Sequence, residues 1–183
     1  MLRIRLATTA DVPIIAHHRV RMFADMKVLP WHAREQLFRQ TSEYLEQAIP
    51  SGEYVGWLAS VRGRPYEIVA GAGVQLRPVL PHPVRRCGRV VLTGGVQALV
   101  LNVFTARAWR RRGVARLLMD EVLAWTQSND IETLVLHASE DGRQLYEDLG
   151  FQPTNEMRLV NTTRSGEVGT RPRNHTNYAK TSL

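Results

Sequence analysis

Residues 98–137 constrain the fold most, because they predict a strand, a helix and a second strand with short connections. Residues 98–105 (ALVLNVFT) are almost continuously apolar or β-branched, as in a strand buried on both faces. Residues 114–127 (VARLLMDEVLAWTQ) repeat apolar residues at helical spacing. The predicted core stripe of this helix is Leu117, Leu118, Val122 and Trp125. Residues 134–137 (LVLH) predict another buried strand, so the unit is a strand-helix-strand crossover.

The remaining segments continue this alternation of strands and helices. Helices are predicted over residues 10–26, 31–49 and 142–149, and strands over residues 2–6, 54–61, 68–76 and 151–160. Thr8 and Asp11 form a capping-box variant before the first helix. Residues 78–95 are rich in Pro and Gly and predict an exposed loop. The sum of these elements is a mixed α/β layer fold.

Length and composition suit a single globular domain rather than two. The chain has 183 residues, of which 44% are hydrophobic. Residues 161–183 are polar, with Tyr178 as their only aromatic, so we expect a domain over 1–160 followed by a flexible tail. The one cysteine, Cys87, permits neither an internal disulfide nor a Cys-based zinc site, which favours a cytoplasmic protein. No signal peptide or stretch long enough to span a membrane is evident.

The formal charge of +7 invites a nucleic-acid interpretation, which the distribution of charge disfavours. Of the 24 basic residues, 22 are Arg, and they are scattered rather than gathered in a dense stripe. The excess instead favours an anionic ligand such as a phosphorylated cofactor.

The turn between the central strand and its helix is the most informative stretch for function. Residues 110–115 (RRRGVA) would present backbone N–H groups at a helix N-terminus, which bind anions. Gly113 and Ala115 keep side chains small where a pyrophosphate would approach. The sequence fits neither the Walker A pattern nor a dinucleotide GxGxxG motif. The alternative is a basic helix start on a solvated surface.

Two motifs of this region resemble the GCN5-related N-acetyltransferase (GNAT) superfamily. Its hallmark Arg/Gln-x-x-Gly-x-Gly/Ala is met at Arg110, Gly113 and Ala115. A second hallmark, Tyr-x-x-Leu-Gly-Phe, begins at Tyr146. The resemblance covers about residues 98–152, whereas over residues 1–97 it depends only on the order of the elements.

The resemblance implies a GNAT-like fold, with a central mixed twisted sheet of about six to seven strands and about four flanking helices. It further implies acetyl transfer from acetyl-CoA, as co-substrate, to an amine through a ternary complex, without a metal. The strand backbone that would pair with the pantetheine arm belongs to Val103, Phe104 and Thr105. The pyrophosphate turn and its basic flanks would be Arg110, Arg111, Arg112, Gly113, Val114, Ala115 and Arg116. Trp109 would anchor this turn.

Tyr146 is the expected general acid, because a phenol near the thioester sulfur can protonate the leaving thiolate. Its alternative is a core tyrosine whose hydroxyl is satisfied. Ser139 replaces the Asn of many relatives at the start of this helix, and can still cap the helix and reach the cofactor. Arg107 replaces a common Pro.

The general base is left open by the sequence. The strand over residues 98–105 contains no acid, and Asn102 could orient an amine or a water but cannot act as a base. His137 has a suitable intrinsic pKa, although a His among apolar neighbours is more often structural. Glu140 and Asp141 follow this strand near the expected cofactor side, and favourable charge at a helix N-terminus is the simpler explanation for both.

The acceptor pocket is predicted only in outline, and the identity of the amine is beyond the sequence. His17, His18 and His32 could line it, but they fit partly exposed polar positions better. Met22, Phe23 and Met26 indicate a core stripe before a pocket. A small-molecule or peptide amine is the expected acceptor, and exposed final strands permit a homodimer. The alternative function is a catalytically weak acyl-CoA-binding sensor or regulatory module.

Overall fold

A computed structural model describes residues 1–92 and 94–159. The N-terminal half comprises β1 (Leu2–Leu6), α1 (Val12–Asp25), α2 (Arg34–Ala48), β2 (Tyr54–Val61) and β3 (Arg64–Pro78). The second half comprises β4 (Pro83–Arg86), β5 (Arg89–Leu92), β6 (Val96–Thr105), α3 (Val114–Ser128), β7 (Thr133–Leu136) and α4 (Arg143–Asp148). Apart from β4 and β5, which lie within a predicted loop, the predicted order of strands and helices is confirmed up to α4.

The central sheet has five strands in the order β1-β2-β3-β6-β7. The first three pairings are antiparallel, and β6 pairs with β7 in parallel. Helix α3 connects these two parallel strands, which makes the predicted crossover. The sheet is thus mixed, with the long β3 and β6 at its centre.

Helices cover both faces of the sheet. Successive side chains of β2 and β3 point to opposite faces, so each face presents apolar side chains to a helix layer. On one face, α1 and α2 bury Ile15 and Leu45 against Leu58. On the other face, α3 buries Leu118 and Val122 against the sheet. The sequence prediction was wrong for Leu117, which is 48% exposed because it lies about 100° around the helix from Leu118, on the opposite side from the buried Met119. The buried face of α3 consists of Val114, Leu118, Met119, Val122 and Thr126.

The start of α1 is tied to β1 through Asp11. The Thr8 amide donates to the Asp11 carboxylate at 2.8 Å, which confirms the predicted capping interaction. Both carboxylate oxygens of Asp11 also accept hydrogen bonds from the Arg5 guanidinium, each at 2.7 Å. These hydrogen bonds, the one from Arg5 above all, lower the pKa of Asp11 to about 2.

Two expectations about irregular segments need correction. The predicted loop over residues 78–95 contains the β4–β5 hairpin, whose turn residues Cys87 and Gly88 have φ of 46° and 77°. Positive φ at both turn residues is the requirement of a two-residue hairpin, so Gly marked a turn between strands rather than a loop. Residues 151–159 form no strand, and the central sheet has five strands in the described ranges instead of six to seven. The predicted tail over residues 161–183 lies outside the described residues.

Candidate active site

The parallel strands β6 and β7 separate halfway along β6. Their pairing runs from Gln97↔Thr133 to Val100↔Leu136 and then ends. Strand β6 continues to Thr105, still paired with β3 on its other edge. In the described part of the chain, residues 101–105 therefore have no strand partner on the β7 side, so one edge of this backbone is open to a ligand.

A β-bulge lies at the point where the strands separate. Leu101 pairs with Gly73 and Phe104 pairs with Gly71, so two residues of β6 oppose the single Ala72 of β3. Asn102 takes up the distortion with φ of 55°, a conformation that Asn tolerates better than most residues. The bulge turns Asn102 to the α1 face, where it is 7% exposed.

Three polar side chains meet beneath this bulge. The Asn102 Oδ1 accepts from Arg19 Nη1 at 2.6 Å, and its Nδ2 donates to the Tyr54 hydroxyl at 3.2 Å. Burial raises the pKa of Tyr54 to about 12, so this phenol is neutral at physiological pH. The contacts with Arg19 and Tyr54 fix the orientation of the Asn102 amide.

His18 is buried beside the same cluster, which corrects the expectation of a partly exposed residue. It is 3% exposed, and its ring lies 4.5 Å from that of Phe104, centroid to centroid. Burial, with smaller effects from His17 and Arg21, lowers the pKa of His18 to about 4. His18 is therefore a neutral ring at pH 7.

Two glycines of β3 make room for these polar side chains. A Cβ on Gly73 would lie 2.0 Å from the Tyr54 hydroxyl oxygen, and one on Gly71 would lie 3.3 Å from His18 Nδ1. Such a close approach explains glycine inside a strand, where it is otherwise unfavourable. The two glycines of the sequence AGAG at residues 70–73 indicate such a close approach, and the sequence analysis did not recognise it.

The turn between β6 and α3 has the geometry of an anion-binding loop. Arg111 and Gly113 have φ of 60° and 76°, and such left-handed residues within a turn direct backbone N–H groups into one concavity. The first helical hydrogen bond runs from the Leu117 amide to the Gly113 carbonyl, and among the described residues no side chain caps the helix. The amides of Val114, Ala115 and Arg116 consequently have no carbonyl partner within the helix.

The end of α1 holds this turn through Asp25. One carboxylate oxygen accepts from Arg107 at 2.7 Å, and the other accepts from Arg110. Arg110 also donates from Nε to the Thr105 carbonyl at 2.9 Å. Arg110 is thereby engaged by the protein itself rather than left open to a ligand. Burial opposes the ionised form, but the hydrogen bonds from Arg107 and Arg110 prevail and lower the pKa of Asp25.

Trp109 supports the turn from below, as predicted. Its ring packs partly buried against the α3 core, and the Arg112 guanidinium carbon lies 5.6 Å from the ring centroid. Arg111, Arg112 and Arg116 are exposed. The turn therefore combines anchored backbone with exposed positive charge.

Tyr146 lies on α4, partly buried against the α3-side core. Its ring packs edge-on to Phe151 at 6.0 Å, and Gly142 leaves room for it, since a Cβ there would lie 3.0 Å from the ring. Burial raises the pKa of its phenol. Within the described residues the Tyr146 hydroxyl forms no hydrogen bond, which differs from a satisfied core tyrosine.

Ser139 and His137 border the same region. The Ser139 hydroxyl accepts from the Gly142 amide at 3.3 Å, which confirms that Ser139 caps the following helical turn. His137 follows the end of β7 and is exposed. Its Nε2 lies 3.1 Å from Arg158 Nη2, and because a guanidinium only donates, this ring nitrogen acts as the acceptor. Glu140 and Asp141 are exposed in the first turn before α4.

The remaining acceptor-side candidates lie at the surface. His17 and His32 are exposed, as expected. Met22 and Phe23 are partly exposed and Met26 is 45% exposed, so the predicted core stripe at this end of α1 is wrong. These residues lie beyond the part of α1 that buries Ile15 against the sheet, so the helix end projects past its packed face.

Within residues 1–92 and 94–159, no helix has the length and apolar character needed to cross a membrane. The same ranges contain no group of three or more His, Cys, Asp or Glu side chains that could hold a metal ion.

Comparisons with known proteins agree with this geometry. Residues 93–164 match the sequence model of the acetyltransferase (GNAT) domain. A GCN5-related N-acetyltransferase from Ralstonia eutropha JMP134 is 25% identical, with a TM-score of 0.76 over 87% of this chain and 98% of that one. No curated protein matches the sequence.

Two further solved structures share the fold. A predicted acetyltransferase with acetyl-CoA from Clostridium acetobutylicum is 23% identical, with a TM-score of 0.71 over 88% of this chain and 96% of that one. An aminoglycoside acetyltransferase from an uncultured soil metagenomic sample is 15% identical, with a TM-score of 0.62 over 89% and 99%. The separated strands and the turn before α3 thus lie in a chain that matches the acetyltransferase (GNAT) domain over residues 93–164 and shares its fold with these solved acetyltransferases.

Proposed function

We propose that this protein is an N-acetyltransferase that moves the acetyl group of acetyl-CoA to a primary amine of a small molecule or peptide. The main support for the proposal is that two candidate ligand sites follow each other along one stretch of chain. The open edge of β6 ends at Thr105, and the anion-binding turn begins at Arg110. A ligand with an extended amide arm and a pyrophosphate, such as CoA, fits that succession.

The residues of both sites fit the chemistry of CoA. Backbone groups of Val103, Phe104 and Thr105 would pair with the amides of the pantetheine arm, as a third strand pairs with an open edge. The Thr105 hydroxyl is buried and has no partner within the described chain, so it has hydrogen-bonding capacity to offer there.

The phosphates would be held mainly by backbone. The amides of Gly113, Val114, Ala115 and Arg116 would donate to the pyrophosphate, supported by the dipole of the 15-residue helix α3. The exposed Arg111, Arg112 and Arg116 would add long-range attraction, including toward the 3′-phosphate. Ser139 would complete the cofactor side from the turn before α4.

Acetyl transfer requires the amine, as free base, to attack the thioester carbonyl directly within a ternary complex. The C–N bond forms, the C–S bond breaks, the thiolate of CoA takes a proton from a general acid, and the attacking nitrogen releases one proton to water, so that the acid is reprotonated from solvent. We assign the role of this acid to Tyr146, whose raised pKa keeps the phenol protonated at neutral pH. Most of the rate enhancement would come from holding amine and thioester together.

Asn102 is assigned a positioning role. Its amide is fixed between Arg19 and Tyr54 at the bulge and can accept from or donate to the amine or a water. His137 is not part of this proposal as a base, because its Nε2 is engaged with Arg158. The ammonium group of the acceptor would lose its proton to water before the attack.

The experiment is acetyl transfer to a broad amine panel by the wild type, Tyr146→Phe and the control Tyr66→Phe, whose residue is 97% exposed. We expect Tyr146→Phe to lower kcat about 100-fold or more, the usual size of an acid contribution, and to leave acetyl-CoA binding intact. Tyr66→Phe should match the wild type. Acetyl-CoA binding without turnover on any amine would instead support the sensor function.

A further inference from the structure

Arg19 carries a partly buried positive charge that no carboxylate in the described part of the chain neutralises. Its one hydrogen bond there joins Nη1 to the neutral amide of Asn102. Its guanidinium carbon also lies 4.9 Å from the centroid of the Phe23 ring. Burial lowers the pKa of Arg19, which reflects the cost of keeping this charge away from water.

Arg5 provides the contrast within the same molecule. It is also partly buried, but both its terminal nitrogens donate to the Asp11 carboxylate. A guanidinium has five N–H donors in a planar fork that fits the two oxygens of a carboxylate or phosphate. At Arg19 one donor is used within the described residues, so the fork has donors to spare for an anion.

A second positive charge, that of Arg21, lies two residues further along α1, about 200° around the helix from Arg19. The Arg21 guanidinium carbon is 5.2 Å from the centroid of the Phe104 ring. Phe104 and Asn102 belong to the bulged end of β6, which is where the open edge lies. Arg19 and Arg21 therefore each place positive charge against a residue of that strand end, Arg19 at Asn102 and Arg21 at Phe104.

We propose that the acceptor is an amine that also carries an anionic group, either a carboxylate or a phosphate, and that Arg19 binds that group with help from Arg21. This inference rests on the proposed acetyltransferase function. Arg19 is a specificity residue in it: the fork holds the anion, and Asn102, hydrogen-bonded to the same guanidinium, lies beside the amine. Neutral amines would lack the contact with the Arg19 guanidinium.

The test compares matched amine pairs that differ only in the anion: an α-amino acid against its amide, and O-phosphoethanolamine against ethanolamine. Variants are Arg19→Gln, Arg19→Lys, Arg21→Gln and the control Arg3→Gln, an exposed residue of the edge strand β1. We expect wild type and Arg3→Gln to prefer one anionic member at least ten-fold in kcat/KM. Whichever pair shows the preference identifies carboxylate or phosphate.

Arg19→Gln should reduce that preference at least ten-fold, mainly through KM for the anionic amine, and Arg19→Lys should restore part of it. Arg21→Gln, which leaves the Arg19–Asn102 hydrogen bond in place, should reduce the preference several-fold. Equal use of neutral and anionic amines by the wild type overturns the inference. So does an equal loss for both members in Arg19→Gln, which would mean that Arg19 only orients Asn102, or a loss of acetyl-CoA affinity in that variant.

A binding measurement separates this inference from the proposed function. In the Gly113→Asp background, where the pyrophosphate turn is blocked, inorganic phosphate and acetate are titrated with and without Arg19→Gln. Anion binding that Arg19→Gln abolishes supports the Arg19 site even if no amine is acetylated, in which case the proposed function alone fails. Anion binding that is absent, or unchanged by Arg19→Gln, overturns the site.

Discussion

Lowering the pH from 7 to 5 should destabilise this protein through one buried ring, His18. The folded state holds this ring with a pKa of about 4, whereas an unfolded chain has the ordinary value of 6.5. Between these values the unfolded state binds one more proton than the folded state. Stability therefore rises with pH across this window, is complete above about pH 6.5, and is lost progressively as pH falls toward 4.

The magnitude follows from the same pKa difference. Each pH unit inside the window is worth about 1.4 kcal/mol, and pH 5 lies 1.5 units below the unfolded value, which gives a loss of about 2 kcal/mol. The contribution of Asp11 falls outside this range, because its carboxyl has a pKa of about 2 and loses stability only in stronger acid. The groups facing His18 in its cluster, Tyr54 and Asn102, do not titrate between pH 5 and 7.

The assay is urea denaturation at pH 7 and pH 5, followed by tryptophan fluorescence. Wild type should lose about 2 kcal/mol more than His18→Gln between the two pH values. The control His17→Gln removes the exposed neighbour on α1 and should keep most of the pH dependence, since burial is the main cause of the shift. Identical pH dependence in wild type and His18→Gln refutes the reasoning, as does an NMR titration of the His18 ring with a midpoint above pH 6.

Two further substitutions test the packing around the site. Gly73→Ala would bring a methyl group against the Tyr54 hydroxyl, so we expect a loss of about 2 kcal/mol in urea denaturation, whereas Gly94→Ala, with open space around it, should be nearly neutral. Similar stability of the two alanine variants would show that Tyr54 moves aside freely. Asp25→Asn should lose about 1 kcal/mol, because two partly exposed ion pairs are broken, while the exposed Asp120→Asn should not. An equal effect in the two would remove Asp25 as the support of the turn.

The second half of the fold could be predicted from sequence because its signals are local. The apolar run of β6, the periodicity of α3 and the glycine at residue 113 each act within a few residues. The hairpin of β4 and β5 was missed because Cys87 and Gly88 carry a turn signal that is shared by loops. Leu117 was placed in the core because its neighbour Leu118 has the same apolar character.

The site was only partly predictable because much of it is built from distant residues. Asp25 contacts Arg107 and Arg110, which lie more than 80 positions away in the sequence, and no local sequence pattern predicts such a contact. Arg19 and Asn102 are 83 residues apart. The β-bulge that turns Asn102 toward Arg19 depends on the pairing register of β3 with β6. The strand propensities of the individual residues do not encode this register.

The central claim is that the turn before α3 binds the phosphates of acetyl-CoA. Calorimetry should compare wild type with Gly113→Asn and Gly113→Asp, two side chains of equal size that both tolerate the φ of 76° at this position and differ in charge. We expect Gly113→Asn to retain binding within about ten-fold and Gly113→Asp to lose about 100-fold or more, with circular dichroism unchanged in both. Equal affinity in the two variants, or no acetyl-CoA binding by folded wild type, would contradict the claim.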